Sequence, residues 1–373
     1  MFGVTRVANV TGLDYIGIPV VMSVRPNSRN LSVHQGKGLT LDAAKASAIM
    51  EALEWHSGEQ PFSNIVWCAA ASFAKNSFIY SCNSSRRNFE CDAAIPWVEG
   101  YDLVNGHASF VPEELVTTDF TLPYRNGFGW FQMSSNGLAA GNSMSEARLH
   151  AICELIERDA FALWRLLPGQ ARSRTRIDPL AVGDESADFL MSHFNASGMI
   201  VEAWDITSDI DVPTFFCVID DRYARPPFLG RFGGVGCHPN AGVALCRALS
   251  EAAQSRCTFI AGSRDDIPFG SYSVLGWQHN LTSFMVPSAD PPPTGVGTVR
   301  ATSFDASTVE DDLDALLARL TSQGIDTVVE VDLSQPEIGI PCVRVLIPGF
   351  ESMSDKTGYK PGERAHRVMR QWT

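Results

Sequence analysis

Five glutamates stand on two otherwise apolar helical stretches, and their placement is the first sign of chemistry in this sequence. Residues 144–167, MSEARLHAICELIERDAFALWRLL, are apolar nearly all round, which marks a helix buried on most faces, yet they include Glu146, Glu154 and Glu157. At 100° per residue, Asn142, Glu146 and Glu157 fall within about 60° of one another, with Glu154 about 60° further round. In ASAIMEALEW, residues 46–55, Ser47, Glu51 and Glu54 share a face about 60° wide. A third stretch places Arg247, Glu251 and Gln254 on one face. An ionised carboxylate buried alone costs on the order of several kcal/mol, so it takes a proton, pairs with a cation or binds a metal. The nearby Arg148 and Arg158 cannot pair all five. Hard oxygen ligands of this kind suit magnesium, which takes one or two carboxylates together with phosphate oxygens. For any single glutamate, a partly solvated edge or an internal ion pair is the plainer alternative. The set, repeated on two helices, favours the metal.

Other catalytic signatures are missing. QGKGLT (35–40) ends like a phosphate-binding loop, but Leu31 and Ser32 stand where the first glycine should be, and Gly38 follows Lys37 in place of Ser or Thr. No GxSxG elbow, HExxH or dinucleotide fingerprint is present. Lone histidines such as His150 read as core or ion-pair residues. Nine cysteines and eight histidines lack the short clustered spacing of a zinc site. The cysteines read as reduced thiols of a cytosolic protein.

The elements that must carry these residues alternate without strict order. Strands are expected over 17–24, in NIVWCAA and ASFVP within 63–140, in IVEAWDIT and TFFCVID within 200–220, and in TVVEVDL and IPCVRVLIP. Helices are expected over Thr40–Ser57, Ser143–Leu167, Asn240–Gly262 and 308–323. The polar stretch 25–38 reads as a loop and 287–297 as a Pro/Gly-rich surface connection. A polar tail with Lys356, Lys360, Arg364 and Arg367 follows Pro348. No internal repeat is apparent. The pattern implies an α+β, mixed α/β fold. The 373 residues are treated as a single domain, long enough for a large core.

With 42 acidic against 29 basic residues, the net charge of −13 disfavours nucleic acid and anionic membranes as partners, and a nucleotide would need divalent cations. The N-terminus lacks a signal peptide and no apolar run reaches membrane-spanning length, so a cytoplasmic protein is expected.

Taken together and in order, several blocks resemble the YcaO family. These are TRVANVTGLDYIGIPV (5–20), QGKGLTLDAAKASAIMEALE (35–54), NGLAAGNSMSEARLHAICELIERDA (136–160), ALCRALSEAAQSR with GSRDDI (244–267), and GIPCVRVLIPGFE (339–351). The resemblance implies a YcaO-like fold with an ATP site between glutamate-bearing helices, and ATP and Mg2+ as ligands. By position it makes Ser47, Asn142, Glu154, Arg158 and Arg247 nucleotide-binding residues, with Arg247 preferred over Arg256. Glu51, Glu54, Glu146 and Glu157 become the metal ligands. It implies that an external nucleophile attacks a peptide-backbone amide whose oxygen is then phosphorylated. Two departures stand out: the chain starts almost at the TRVANVT block, and it ends in HRVMRQWT where azoline-forming members carry a PxPxP tail. The ending resembles standalone members that work with a TfuA-type protein and form thioamides. The expected partners are therefore a substrate peptide or protein and a TfuA-like protein. Azoline and amidine formation, an idle peptide-presenting scaffold and a homodimer stay open.

Overall fold

The computed structural model describes residues 2–73, 89, 92–221, 229–267, 297–352 and 359–372. Its strands form three sheets, and every strand pair among the described residues is antiparallel. The first sheet runs β1 (Arg6–Asn9), β2 (Val20–Val24), β3 (Val33–Lys37). The second comprises β4 (Ile65–Ala69), β5 (Ala94–Asp102), β6 (His107–Pro112), β7 (Leu138–Ala140), β12 (Val329–Asp332) and β13 (Cys342–Leu346). Its order is β4-β5-β12-β13-β7, with β6 paired to β5. The third holds β8 (Arg176–Ile177), β9 (Ile200–Asp205), β10 (Thr214–Asp220) and β11 (Arg231–Cys237) in the order β11-β10-β9-β8. Antiparallel sheets with helices set against them make an α+β architecture, as the sequence implies.

Three helices carry the carboxylates: α1 (Leu41–Gly58), α2 (Met144–Arg165) and α4 (Ala241–Ala261), with α3 (Glu185–Ala196) between the last two. They are completed by α5 (Val309–Ser322) and α6 (Glu363–Arg370). Each of the three leaves the edge strand of a different sheet. β3 feeds α1, β7 feeds α2 and β11 feeds α4, always through three residues of which the last is the N-cap. Thr40, Ser143 and Asn240 each accept a hydrogen bond from the amide three residues on, which satisfies one of the open amides of the first turn.

Small residues set how closely strand and helix approach. Four and eight residues beyond the caps lie Ala44 and Ala48, Ala147 and Ala151, and Ala244 and Ala248, all fully buried. Opposite them, a Cβ on Gly36 of β3 would lie 2.1 Å from the Ala48 amide nitrogen, and one on Gly236 of β11 2.2 Å from the Ala244 carbonyl oxygen. No side chain fits at either place. In the α2 unit Ala139 stands at that place, and the close approach comes at Gly141 in the connecting turn, 2.6 Å from the Ala147 nitrogen, as at Gly38, 2.8 Å from the Ala44 nitrogen.

Two expectations change. Within the supposed loop 25–38, VHQGK is the strand β3, paired from Val33↔Val24 to Lys37↔Val20 and mostly buried against α1. Its polar composition hides a strand whose side chains face the site. The tail after residue 350 is not simply solvated. Glu351 and Arg364 are buried, and α6 packs on α2, although Lys360 and Arg367 are exposed. The connection expected over 287–297 lies outside the described residues except Gly297, which bridges Ile177, and Lys356 also lies outside them. The described cysteines are all free thiols. No described helix is long and apolar enough to cross a membrane.

Candidate active site

Counted from their caps, α1, α2 and α4 place corresponding residues in one cleft. Seven residues on stand Ser47, His150 and Arg247. Eleven on stand Glu51, Glu154 and Glu251, and fourteen on stand Glu54, Glu157 and Gln254. On a helix these three offsets fall within about 60° of one another. All nine side chains line one cleft of about 1300 Å³. The chain thus contains a repeat after all, carried by a handful of positions per unit and by the strand–turn–helix that presents them.

Edge-strand amides aim the carboxylates. Gln35 N donates to Glu51 Oε2 at 2.9 Å, and the equivalent Val235 N donates to Glu251 Oε1 at 3.4 Å. Ala140 N donates to Glu54 Oε1 at 2.8 Å and Gly137 N to Glu154 Oε2 at 3.3 Å. The cleft therefore gathers five glutamates, whose ion-pair partners among the described residues are Lys37 and Arg158, with Arg264 acting on Glu51 from further off. Lys37 Nζ meets Glu251 at 2.9 Å, while Arg158 lies 3.6 Å from Glu154 and 4.0 Å from Glu157. Burial, reinforced by neighbouring carboxylates, pushes Glu51, Glu54 and Glu154 above the usual range, and Glu157 to about 7. Glu251 alone moves down, because Lys37 and Arg158 outweigh its burial.

The level seven residues past the caps has the opposite character. Arg247 donates to the Cys237 carbonyl at 3.3 Å and to Nε2 of His150. Burial, and then Arg247 itself, hold His150 near pKa 3 and His238 near 4, so both imidazoles are neutral around pH 7. The cleft is polarised along the helices, with a cationic level about 6–10 Å from the carboxylate levels.

Of the residues singled out in the sequence, Ser47, Glu51, Glu54, Glu154, Glu157, Arg158 and Arg247 meet in this cleft. Asn142 and Glu146 do not line it. They bond each other at the start of α2, with Asn142 N and Nδ2 on Glu146 Oε2 at 3.0 and 2.9 Å, in the manner of a capping box. Arg256 lies elsewhere, fully buried against Asp14 at 3.0 Å and Asp221 at 2.8 Å. The site also holds residues not singled out as ligands: Lys37 and Gln35 from β3, His150, Glu251 and Gln254. Glu251 and Gln254 share the Arg247 face in the sequence, and that face is the signal for them. Gln35 and Lys37 fall in QGKGLT, which the sequence offers only as an incomplete phosphate-binding loop, since β3 reads as loop.

Among the described residues no group of three or more His, Cys, Asp or Glu side chains is gathered so that it could by itself hold a metal ion. Clustered hard oxygens short of cations, with no complete cage, suit magnesium that takes its remaining ligands from phosphate or water.

Residues 35–351 match the family model described as YcaO cyclodehydratase, ATP- and Mg2+-binding. An uncharacterized protein from the tfuA 3′ region of Rhizobium leguminosarum bv. trifolii is 36% identical, over 94% of this chain and 84% of its own length. A YcaO from Methanopyrus kandleri, solved bound with AMPPCP and Mg2+, superposes with a TM-score of 0.69 at 22% identity, over 96% of this chain and 91% of that one. A heterocyclase solved in complex with substrate and cofactor gives 0.78 at 20% identity, over 99% of this chain and 52% of that one. With residues 35–351 matched by the family model and a relative 36% identical over 94% of this chain, the chain belongs to the ATP- and Mg2+-binding YcaO family.

Proposed function

We propose that this chain uses magnesium-ATP to activate a peptide-backbone amide for attack by an external nucleophile, with sulfide as nucleophile and a thioamide as product. The observation that carries the reading is the polarity of the cleft. Five carboxylates short of cations face one level, and an arginine held by neutral groups faces the other. Glu51, Glu54 and Glu157 would hold magnesium, which when bound would supply positive charge against that building up during phosphoryl transfer. Arg247 and Arg158 would grip phosphate oxygens, and Ser47 and Glu154 would contact the nucleotide. Asn142 and Glu146, at the start of α2, join this set only if their mutual hydrogen bonds open.

Hydrosulfide adds to the amide carbon, and the resulting oxyanion attacks the γ-phosphorus of ATP, releasing ADP. The carbon–oxygen bond then breaks and inorganic phosphate departs with the former amide oxygen and the hydrosulfide proton, leaving C=S. Support for sulfide, and for a TfuA-like partner, comes from the relative of 36% identity located in a tfuA region. The test is mass spectrometry of candidate substrate peptides or proteins incubated with the chain, ATP, sulfide and a TfuA-like protein. A sulfur-for-oxygen mass gain with one ADP per event supports the reading. Loss of one water without any need for sulfide overturns the thioamide and leaves an azoline-forming enzyme.

A further inference from the structure

Arg247 is held differently from Arg148, Arg158, Arg256 and Arg364, and shares with Arg344 the lack of a carboxylate partner among the described residues. Arg148 meets Glu330 at 2.5 Å, Arg158 lies by Glu154, Arg256 meets Asp14 and Asp221, and Arg364 meets Asp159 at 2.7 Å. Among the described residues no carboxylate pairs with Arg247. Its recorded acceptors are a backbone carbonyl and the ring of His150. His150 and Arg247 occupy the same position of two repeat units, so neighbouring helices deliver them to one level of the cleft, with Ser47 as the third member. All three are neutral or cationic, and the five glutamates begin one turn further along the helices; Asp184, which also lines the cleft, is bonded to Cys246 and to the Ala187 amide.

We propose that His150 is a positioning residue, which holds the Arg247 guanidinium toward the cleft through a neutral acceptor and so leaves its charge for a phosphate. A carboxylate there would hold the arginine as firmly but would cancel the charge that an anionic ligand must meet. A neutral nitrogen fixes direction without that cancellation. Because Nε2 accepts, the ring proton sits on Nδ1, away from the guanidinium. The proposal rests on the reading of the cleft as the nucleotide site.

The test is calorimetric binding of the β,γ-imido analogue of ATP with Mg2+ to the full chain, after thermal unfolding has verified each variant. Arg247→Gln weakens binding about tenfold or more, the scale of a charge-assisted hydrogen bond. His150→Leu, which frees the guanidinium, weakens it about three- to tenfold. His150→Gln, a neutral acceptor, restores most of that loss. His150→Glu keeps an acceptor but neutralises Arg247 and binds no better than Arg247→Gln. Adding His150→Leu to Arg247→Gln changes nothing further, since His150 acts through the arginine. Losses that multiply in the double variant, or Gln and Glu behaving alike at 150, overturn the positioning role while the nucleotide site stands. If Leu at 150 does not fold, the near-isosteric Gln and Glu pair still decides. An Arg247→Gln variant that binds like the parent overturns this proposal and the placement of phosphate at Arg247 together.

Discussion

The helix α2 carries buried acids of two kinds on different faces. Asp159 is fully buried and closed upon by the C-terminal segment. Arg364 donates to it from Nη2 at 2.7 Å and Nε at 3.0 Å, and Glu351 N at 2.9 Å. Arg364 is shared with Asp209 at 2.6 Å, and Glu351 in turn accepts from Tyr359 at 2.7 Å and Ala365 N at 3.0 Å. Glu154 and Glu157, a few residues earlier, share one arginine at 3.6 and 4.0 Å. Burial raises the pKa of Asp159 as it does those of the cleft glutamates. Burial therefore does not separate the two classes; the supply of partners does. Where an acid holds the fold together, the chain provides its cation. On the proposed reading of the cleft, an acid kept for a ligand has its cation left to come with the ligand.

The largest effect that would break this contrast lies in the C-terminal lock. Arg364→Ala leaves Asp159 buried and unpaired and is expected to cost about 3–5 kcal/mol of stability in chemical denaturation. A loss below about 1 kcal/mol would put Asp159 in the same class as the glutamates. Next comes the metal. Chelating magnesium should weaken binding of a non-hydrolysable ATP analogue about a hundredfold or more, about 2.7 kcal/mol, and equal calorimetric affinity in EDTA would remove the bridging role of the carboxylates. Glu54→Gln and Glu157→Gln should each lower substrate-dependent ADP release at least about tenfold, ~1.4 kcal/mol. In the same variants the ligand-free chain should be as stable as the parent or more so, because a like charge has gone. Reduced stability with normal turnover would mark them as structural.

The smallest effect concerns another paired acid, Asp119. It accepts from Arg29 at 2.7 Å, Arg125 at 2.8 Å and Thr121 Oγ1 at 2.6 Å. Its burial opposes these bonds but is outweighed, and the pKa falls from 3.8 to about 2. A depressed carboxylate adds stability above its unfolded pKa, and that contribution is lost as pH falls through the window from 3.8 toward 2. Asp119→Asn should flatten this part of the acid denaturation curve, and an unchanged curve would mean that the pairing adds nothing.

Much of the site was legible because its signal is local. Caps, helical periodicity and carboxylates on apolar faces all lie within a few turns, so α1, α2 and α4 and most of their cleft residues could be read directly. The rest depends on relations between distant segments. β3 is polar and becomes a strand through pairing with β2 and cover from α1, which no window around VHQGK reveals. The repeat escapes notice because the three units differ in chemistry where they correspond: Ser, His and Arg at one level, and Gln in place of Glu at another. Arg364 looks like tail charge until Asp159, 205 residues away in sequence, is set beside it.

The glycine and alanine seats beneath the cleft carry a consequence for how such a protein changes over evolutionary time. Strand and helix meet there through backbone and Cβ atoms, so the distance between them depends little on what lies beyond Cβ in the side chains that face the cleft. The lining positions are thereby spared any duty in spacing the framework. Substitutions at those nine places can alter what is gripped, and in which charge state, without moving the helices that present them. Substitutions at Gly36, Gly141 or Gly236 cannot be local, since a single added carbon displaces a whole wall. A lineage can rewrite the chemistry of this socket residue by residue, and its frame resists drift.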